Sequence, residues 1–209
     1  MPLWYSVDDG VNWTSASITT GATYESSARG VTFDGIRWLV VGYTTTISGG
    51  SNTTRIYSTT DFVSYSELTL SGLPAAFIIY GIYYASGTYF INGLGTVYKV
   101  YSSTDAASWT EVATFSGLAV YMCETGDDEV LCSTVASGIY KSSSGTFQVV
   151  ATGGTYPLLG IASDDTGLVC VGGSFSSDYV VGNLSDGIST IPALTTITGD
   201  YYDFAQSPI

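Results

Sequence analysis

The chain has 209 residues, with 18 acidic side chains against five basic ones, a formal net charge of −13 and no histidine. Such a surface repels phosphate backbones, which excludes nucleic-acid binding, and the missing histidine excludes nucleophile triads of the usual form and histidine-ligated metal sites. Only 11% of residues are charged, no stretch has helical periodicity, and the whole of 1–209 reads as a single all-β domain large enough for a sizeable core.

In chain order, Met1-Pro2-Leu3-Trp4 leads directly into Tyr5-Ser6-Val7-Asp8-Asp9-Gly10-Val11-Asn12-Trp13, leaving no room for a signal peptide. The same unit returns at residues 57–65 (Tyr-Ser-Thr-Thr-Asp-Phe-Val-Ser-Tyr) and 101–109 (Tyr-Ser-Ser-Thr-Asp-Ala-Ala-Ser-Trp). It recurs with one residue deleted at 140–147, and at 182–190 it keeps Asp186-Gly187 but loses both aromatics. Taking Asp9, Asp61, Asp105, Ser144 and Asp186 as equivalent gives a period of about 40–50 residues, the length of one four-stranded blade.

Between these boxes lie short apolar runs bounded by Gly and Asp, such as Trp38-Leu39-Val40-Val41-Gly42 and Thr88-Tyr89-Phe90-Ile91-Asn92-Gly93, which read as strands buried on both faces. Each follows an inner strand (31–33, 77–83, 118–123, 158–162) and precedes a box strand. Outer strands are expected at 14–18, 66–70, 111–115, 148–151 and 190–197. The N-terminus therefore enters midway through a blade. Tyr201-Tyr202-Asp203-Phe204-Ala205-Gln206-Ser207 reads as the inner strand that returns to close it, which hides the sheet edges of a five-bladed β-propeller. One strand of that closing blade is left to Met1-Pro2-Leu3-Trp4 or to a neighbouring subunit. Residues 44–52 are expected to be an exposed polar loop, either an insertion or a recognition loop.

The box has a physical rationale. Asp accepts hydrogen bonds from nearby amides at a hairpin tip, Gly tolerates positive φ, and the aromatic after it packs back over the turn. Ser6, Asp8, Asp9, Gly10, Trp13, Asp61, Tyr65, Asp105, Trp109, Asp186 and Gly187 are the turn residues so assigned. At Ser6-Val7-Asp8-Asp9-Gly10-Val11-Asn12-Trp13 the sequence resembles the Ser-x-Asp-x-Gly-x-x-Trp Asp-box of sialidase-like and related β-propellers; the later copies match it in part. The resemblance implies a propeller fold and a turn, not a chemistry.

Sialidase-like enzymes hold a substrate carboxylate with three arginines from separate blades, whereas Arg29, Arg37 and Arg55 fall within one repeat. Most acids fall in turns, so no catalytic residue is assigned and the chain is expected not to be an enzyme. Adjacent turn acids lack calcium-loop spacing, and Cys123, Cys132 and Cys170 read as small core residues, so no metal or other cofactor is expected. No apolar run reaches membrane-spanning length.

What remains is binding or assembly. Seventeen tyrosines and four tryptophans suit stacking against sugar rings, with Tyr80, Tyr83, Tyr84, Tyr201 and Tyr202 as candidate glycan contacts. The style of the repeats also resembles bacteriophage tail, fibre and decoration propellers. The leading expectation is a virion structural protein whose partners are other virion proteins or further copies of itself, and which touches host surface glycan. The alternatives are a free propeller lectin, extracellular or cytoplasmic, and an Asp-box glycosidase.

Overall fold

The computed structural model describes residues 1–19, 24–46, 52–115, 120–124, 130–134, 138–143, 146–152, 158–164, 167–173, 179–184 and 195–197. Among them there is no helix, and every sheet is an antiparallel meander. A two-stranded sheet pairs β1 (Pro2–Tyr5) with β2 (Thr14–Ser17). The second sheet runs β3 (Tyr24–Phe33), β4 (Trp38–Thr46), β5 (Thr53–Thr59) and β6 (Ser66–Glu67). The third runs β7 (Ile78–Ala85), β8 (Thr88–Leu94), β9 (Tyr98–Ser103) and β10 (Thr110–Phe115). The fourth comprises β11 (Val120–Glu124), β12 (Val130–Thr134), β13 (Gly138–Ser143) and β14 (Thr146–Thr152). The fifth comprises β15 (Leu158–Asp164), β16 (Gly167–Gly173), β17 (Tyr179–Leu184) and β18 (Thr195–Ile197).

The order within each four-stranded sheet is the one the repeats predict: inner strand, buried strand, box strand, outer strand. The second strands are apolar on both faces because a sheet packs on each side of them. Leu39, Val40 and Val41 of β4 are all buried, as are Tyr89, Phe90 and Ile91 of β8. Met1, Ile18, Val40 and Tyr57 fill the space between the first two sheets. Leu39, Val41, Ile56, Phe77, Ile79 and Ile91 fill the next layer, and Phe90, Val100, Phe115, Met122, Val130 and Cys132 the one after. Each fully buried large side chain contributes about 1.5–3 kcal/mol relative to exposure. Cys132 is buried there.

The second outer strand is shorter than the expected 66–70. Only Ser66 and Glu67 pair with β5, and Leu68 adds one bond to the Ile56 carbonyl at 2.9 Å. The chain then leaves for the third sheet, where the Ser71 amide donates to the Ala107 carbonyl at 2.9 Å and the Trp109 amide to the Ser71 carbonyl at 3.0 Å. That crossing covers Trp109, and a methyl at Gly72 would lie 1.9 Å from the Trp109 carbonyl oxygen. The expected loop at 44–52 also begins later, because β4 continues to Thr46; residues 47–51 lie outside the described residues, as do Ser144, Asp186, Gly187, Tyr201 and Tyr202. β1 and β2 supply only the box and outer strands of a blade.

Candidate functional site

The box turns share one set of hydrogen bonds. Ser6 donates to the Asp8 carboxylate at 2.8 Å, Thr59 to Asp61 at 3.2 Å and Ser103 to Asp105 at 2.8 Å. The carboxylates then accept backbone amides: Asn12 on Asp8, Val63 and Ser64 on Asp61, Ala107 and Ser108 on Asp105. These bonds, led by the amides of Asn12, Ser64 and Ser108 respectively, hold all three carboxyls below the usual range. The residue after each aspartate takes positive φ: Asp9 at 54°, Phe62 at 54° and Ala106 at 63°. Asp8, not Asp9, is thus the partner of Asp61 and Asp105, and the first box carries one extra residue before its aromatic. Trp13 donates to the Gly10 carbonyl at 2.9 Å and Tyr65 to that of Phe62 at 3.0 Å, so both rings fold over their turns.

Strand alternation puts turns 34–37 and 60–65 at one end of the second sheet, and 86–87 and 104–109 at one end of the third. Side chains tie these ends together. Tyr89, next to the β7–β8 turn, donates to the Asp34 carboxylate at 2.6 Å across the sheets. Asp34, whose side chain is only 5% exposed, also holds Arg37 at 3.2 Å and the Ile36 and Arg37 amides. Burial pushes this carboxyl up, but the Tyr89 hydroxyl and the Arg37 and Ile36 donors outweigh it and hold it below the usual range. A ring row runs alongside: Tyr5 on Phe62 at 5.0 Å, Phe62 on Trp38 at 5.4 Å and Trp38 on Phe33 at 4.8 Å. This end is a girdle that joins sheets.

The opposite end is built differently. The inner strands β3, β7 and β15 each carry a bulge, between Ala28 and Gly30, Ile79 and Gly81, and Leu158 and Gly160. The unpaired residues are Arg29, Tyr80 and Leu159. Bulges re-aim a side chain and recur next to functional sites. The glycine after the bulge is needed for close approach, since a methyl on Gly30 would lie 3.1 Å from both the Gly81 Cα and the Ile82 amide nitrogen of the neighbouring inner strand. Half-buried Tyr80 stacks on half-buried Tyr98 at 6.0 Å with 21° between planes. Exposed Arg29 donates to the Tyr43 hydroxyl at 2.8 Å, with its guanidinium carbon 5.2 Å from the Tyr43 ring centre. Burial first, then the neighbouring Tyr98 hydroxyl, raises the Tyr80 phenol, while the Arg29 charge pulls it back.

Of the sequence-assigned glycan contacts that lie among the described residues, Tyr80 stands in this group. Tyr84 leans on Tyr89 at 4.8 Å toward the turn end, and Tyr83 packs against the core layer of Phe90 and Val100. Arg29, Tyr43 and Tyr98 were missed, although x-Gly followed by a β-branched residue at Arg29-Gly30-Val31, Tyr80-Gly81-Ile82 and Leu159-Gly160-Ile161 was the available signal.

No protein-family profile matches the chain, and no curated protein matches it in sequence. Solved structures do resemble it. "YCF48 bound to D1 peptide" has a TM-score of 0.56 at 15% identity, over 93% of this chain and 62% of that one. An exo-β-1,3-galactanase from Clostridium thermocellum has a TM-score of 0.54 at 10% identity, over 86% of this chain and 49% of its own. A puromycin-hydrolysing peptidase of Mycobacterium tuberculosis has a TM-score of 0.53 at 12% identity, over 92% and 32%. The fold is a β-propeller. The chain spans less than two thirds of the length of each of these structures. The expectation that it is not an enzyme is corrected here: a glycoside hydrolase is among the structures that share this fold, so turn-bound acids and a missing histidine do not exclude catalysis.

Proposed function

We propose that this chain is a carbohydrate-binding β-propeller of the Asp-box type, with the Tyr80–Tyr98 pair and the adjoining Arg29–Tyr43 pair as its sugar-contacting site. The observation that carries the reading is the stacked, half-buried pair of Tyr80 on the bulged inner strand β7 and Tyr98 on β9, at the end away from the box turns. Tyrosine faces pack against the C–H surface of a sugar ring, and their hydroxyls, with the guanidinium, bond its polar groups. The likeness to a galactanase supports a sugar ligand, and it makes hydrolysis of that sugar the second reading. The virion role has no likeness among these structures behind it, and sugar binding takes its place as the leading reading.

The proposal includes a five-bladed ring in which the 201–207 stretch pairs with the β1–β2 sheet, because that sheet has a box turn and outer strand but no inner pair among the described residues. Deleting residues 201–207 would then lower Tm, and an unchanged Tm would remove the closure. A glycan array read beside reducing-end release tests the function. Binding lost in Tyr80→Ala supports it, with reducing-end release marking the hydrolase reading. A wild-type chain that binds no glycan overturns it.

A further inference from the structure

We infer that the box-turn end is a docking surface for a basic protein partner, one that presents an apolar centre rimmed by lysines or arginines. This surface lies at the end opposite the Tyr80–Tyr98 pair and does not depend on the sugar reading.

Nine large hydrophobic side chains are exposed among the described residues. Six of them, Val7, Val11, Trp13, Phe33, Ile36 and Val63, sit in or next to the turns at this one end. Val7 is 90% exposed, Ile36 82% and Val63 75%. The turns do not call for aliphatic side chains there. Their bonds to Asp34 and Asp61 take only the backbone amides of Ile36 and Val63, and the third box places Ala107 where the second has Val63. The row of rings from Tyr5 through Phe62 and Trp38 to Phe33 joins the turns of the first sheet to those of the second, so the tips stand on one base. Apolar side chains gathered at one end, rather than scattered, mark an interaction surface.

Charge selects the occupant. Asp8, Asp9, Asp61 and Asp105 stand in the same turns, and of the five basic residues only Arg37 does, already paired with Asp34. Turn amides hold the Asp8, Asp61 and Asp105 carboxyls below the usual range, so they stay ionised beside the apolar tips. A bilayer would have to take these charges out of water together with the tips, and an anionic one would repel them. A second copy meeting this end would bring like charges face to face, in chains of net charge −13 each. A protein surface with an apolar centre and a basic rim matches both features at once.

The test is titration calorimetry on the full chain with a synthetic amphipathic Leu/Lys peptide, its scrambled form without an apolar face, and its Leu/Glu counterpart. Wild type is compared with the double variant Ile36→Ser, Val63→Ser and with Val97→Ser, an exposed apolar position in the β8–β9 turn at the other end. Thermal unfolding confirms that each variant is folded. Wild type should prefer the Leu/Lys peptide over its scrambled form by about ten-fold or more, as burial of two aliphatic side chains implies. The double variant should lose that preference, Val97→Ser should keep it, and the Leu/Glu peptide should not bind. Equal binding of the Leu/Lys and scrambled forms by wild type, or a preference that the double variant retains, overturns the docking surface. Light scattering and vesicle sedimentation test the other occupants. A wild-type oligomer that the double variant breaks up, or wild type held on phosphatidylcholine or phosphatidylserine vesicles through these tips, overturns the basic partner.

Discussion

Tyr89→Phe removes one hydroxyl and little else, and that hydroxyl is the donor that reaches from the third sheet to the Asp34 carboxylate at 2.6 Å. The carboxylate is charged and its side chain only 5% exposed, so the lost bond is of the charged, desolvated kind, about 1.5–3 kcal/mol. Asp34 keeps Arg37 and two backbone amides, which places the expected loss toward the lower end. At roughly 2–4 °C per kcal/mol for a chain of this size, Tm should fall by about 3–8 °C near pH 7. The folded carboxyl lies below its unfolded value, so its contribution is complete above that unfolded value, about 3.9, and is lost as pH falls through the folded one. The gap between wild type and variant should therefore be constant near neutrality and narrow on acidification below that unfolded value. Thermal or guanidinium unfolding followed by circular dichroism measures it. A variant as stable as wild type at neutral pH, or a deficit unchanged in acid, would refute the view that this bond ties the two sheets.

Other outcomes follow from the packing. Phe77→Ala empties a fully buried position that meets Tyr101 edge-on at 5.1 Å, and should cost about 3–5 kcal/mol in denaturant unfolding. Gly93→Ala should destabilise, since its methyl would lie 2.3 Å from the Ile78 carbonyl oxygen and 2.5 Å from the Phe77 ring, and backbone must move; the readout is Tm. Asp105→Ala should speed amide exchange at Ala107 and Ser108 while leaving β8 protected, because both amides bond that carboxylate.

The repeat was legible because a blade has a fixed strand order, and each of the first three boxes announces one turn through Ser or Thr two residues before an aspartate. The doubly apolar runs around Val40 and Ile91 gave the buried strands for the same reason. Register within the first box was not legible, since Asp8-Asp9 offers two carboxylates and only the hydrogen bonds and the 54° φ of Asp9 distinguish them. The short β6 was hidden because Leu68 and Leu70 look like strand residues, yet they serve the crossing that covers Trp109. The candidate site was half visible. Tyr80 is conspicuous as a tyrosine, but its pairing with Tyr98 and the place of Arg29 depend on bulges that only the ladder register reveals. Enzymatic activity was excluded by residue type, and a fold shared with a glycoside hydrolase removes that exclusion.

The most direct measurement is an NMR map of amide and aromatic shifts on titrating the full chain with whichever oligosaccharide binds best on the array. The expected footprint covers Arg29, Tyr43, Tyr80 and Tyr98 and spares Phe33, Phe62 and the box turns. A footprint centred on the box turns, or the absence of any sugar-dependent shift, would contradict the proposed site.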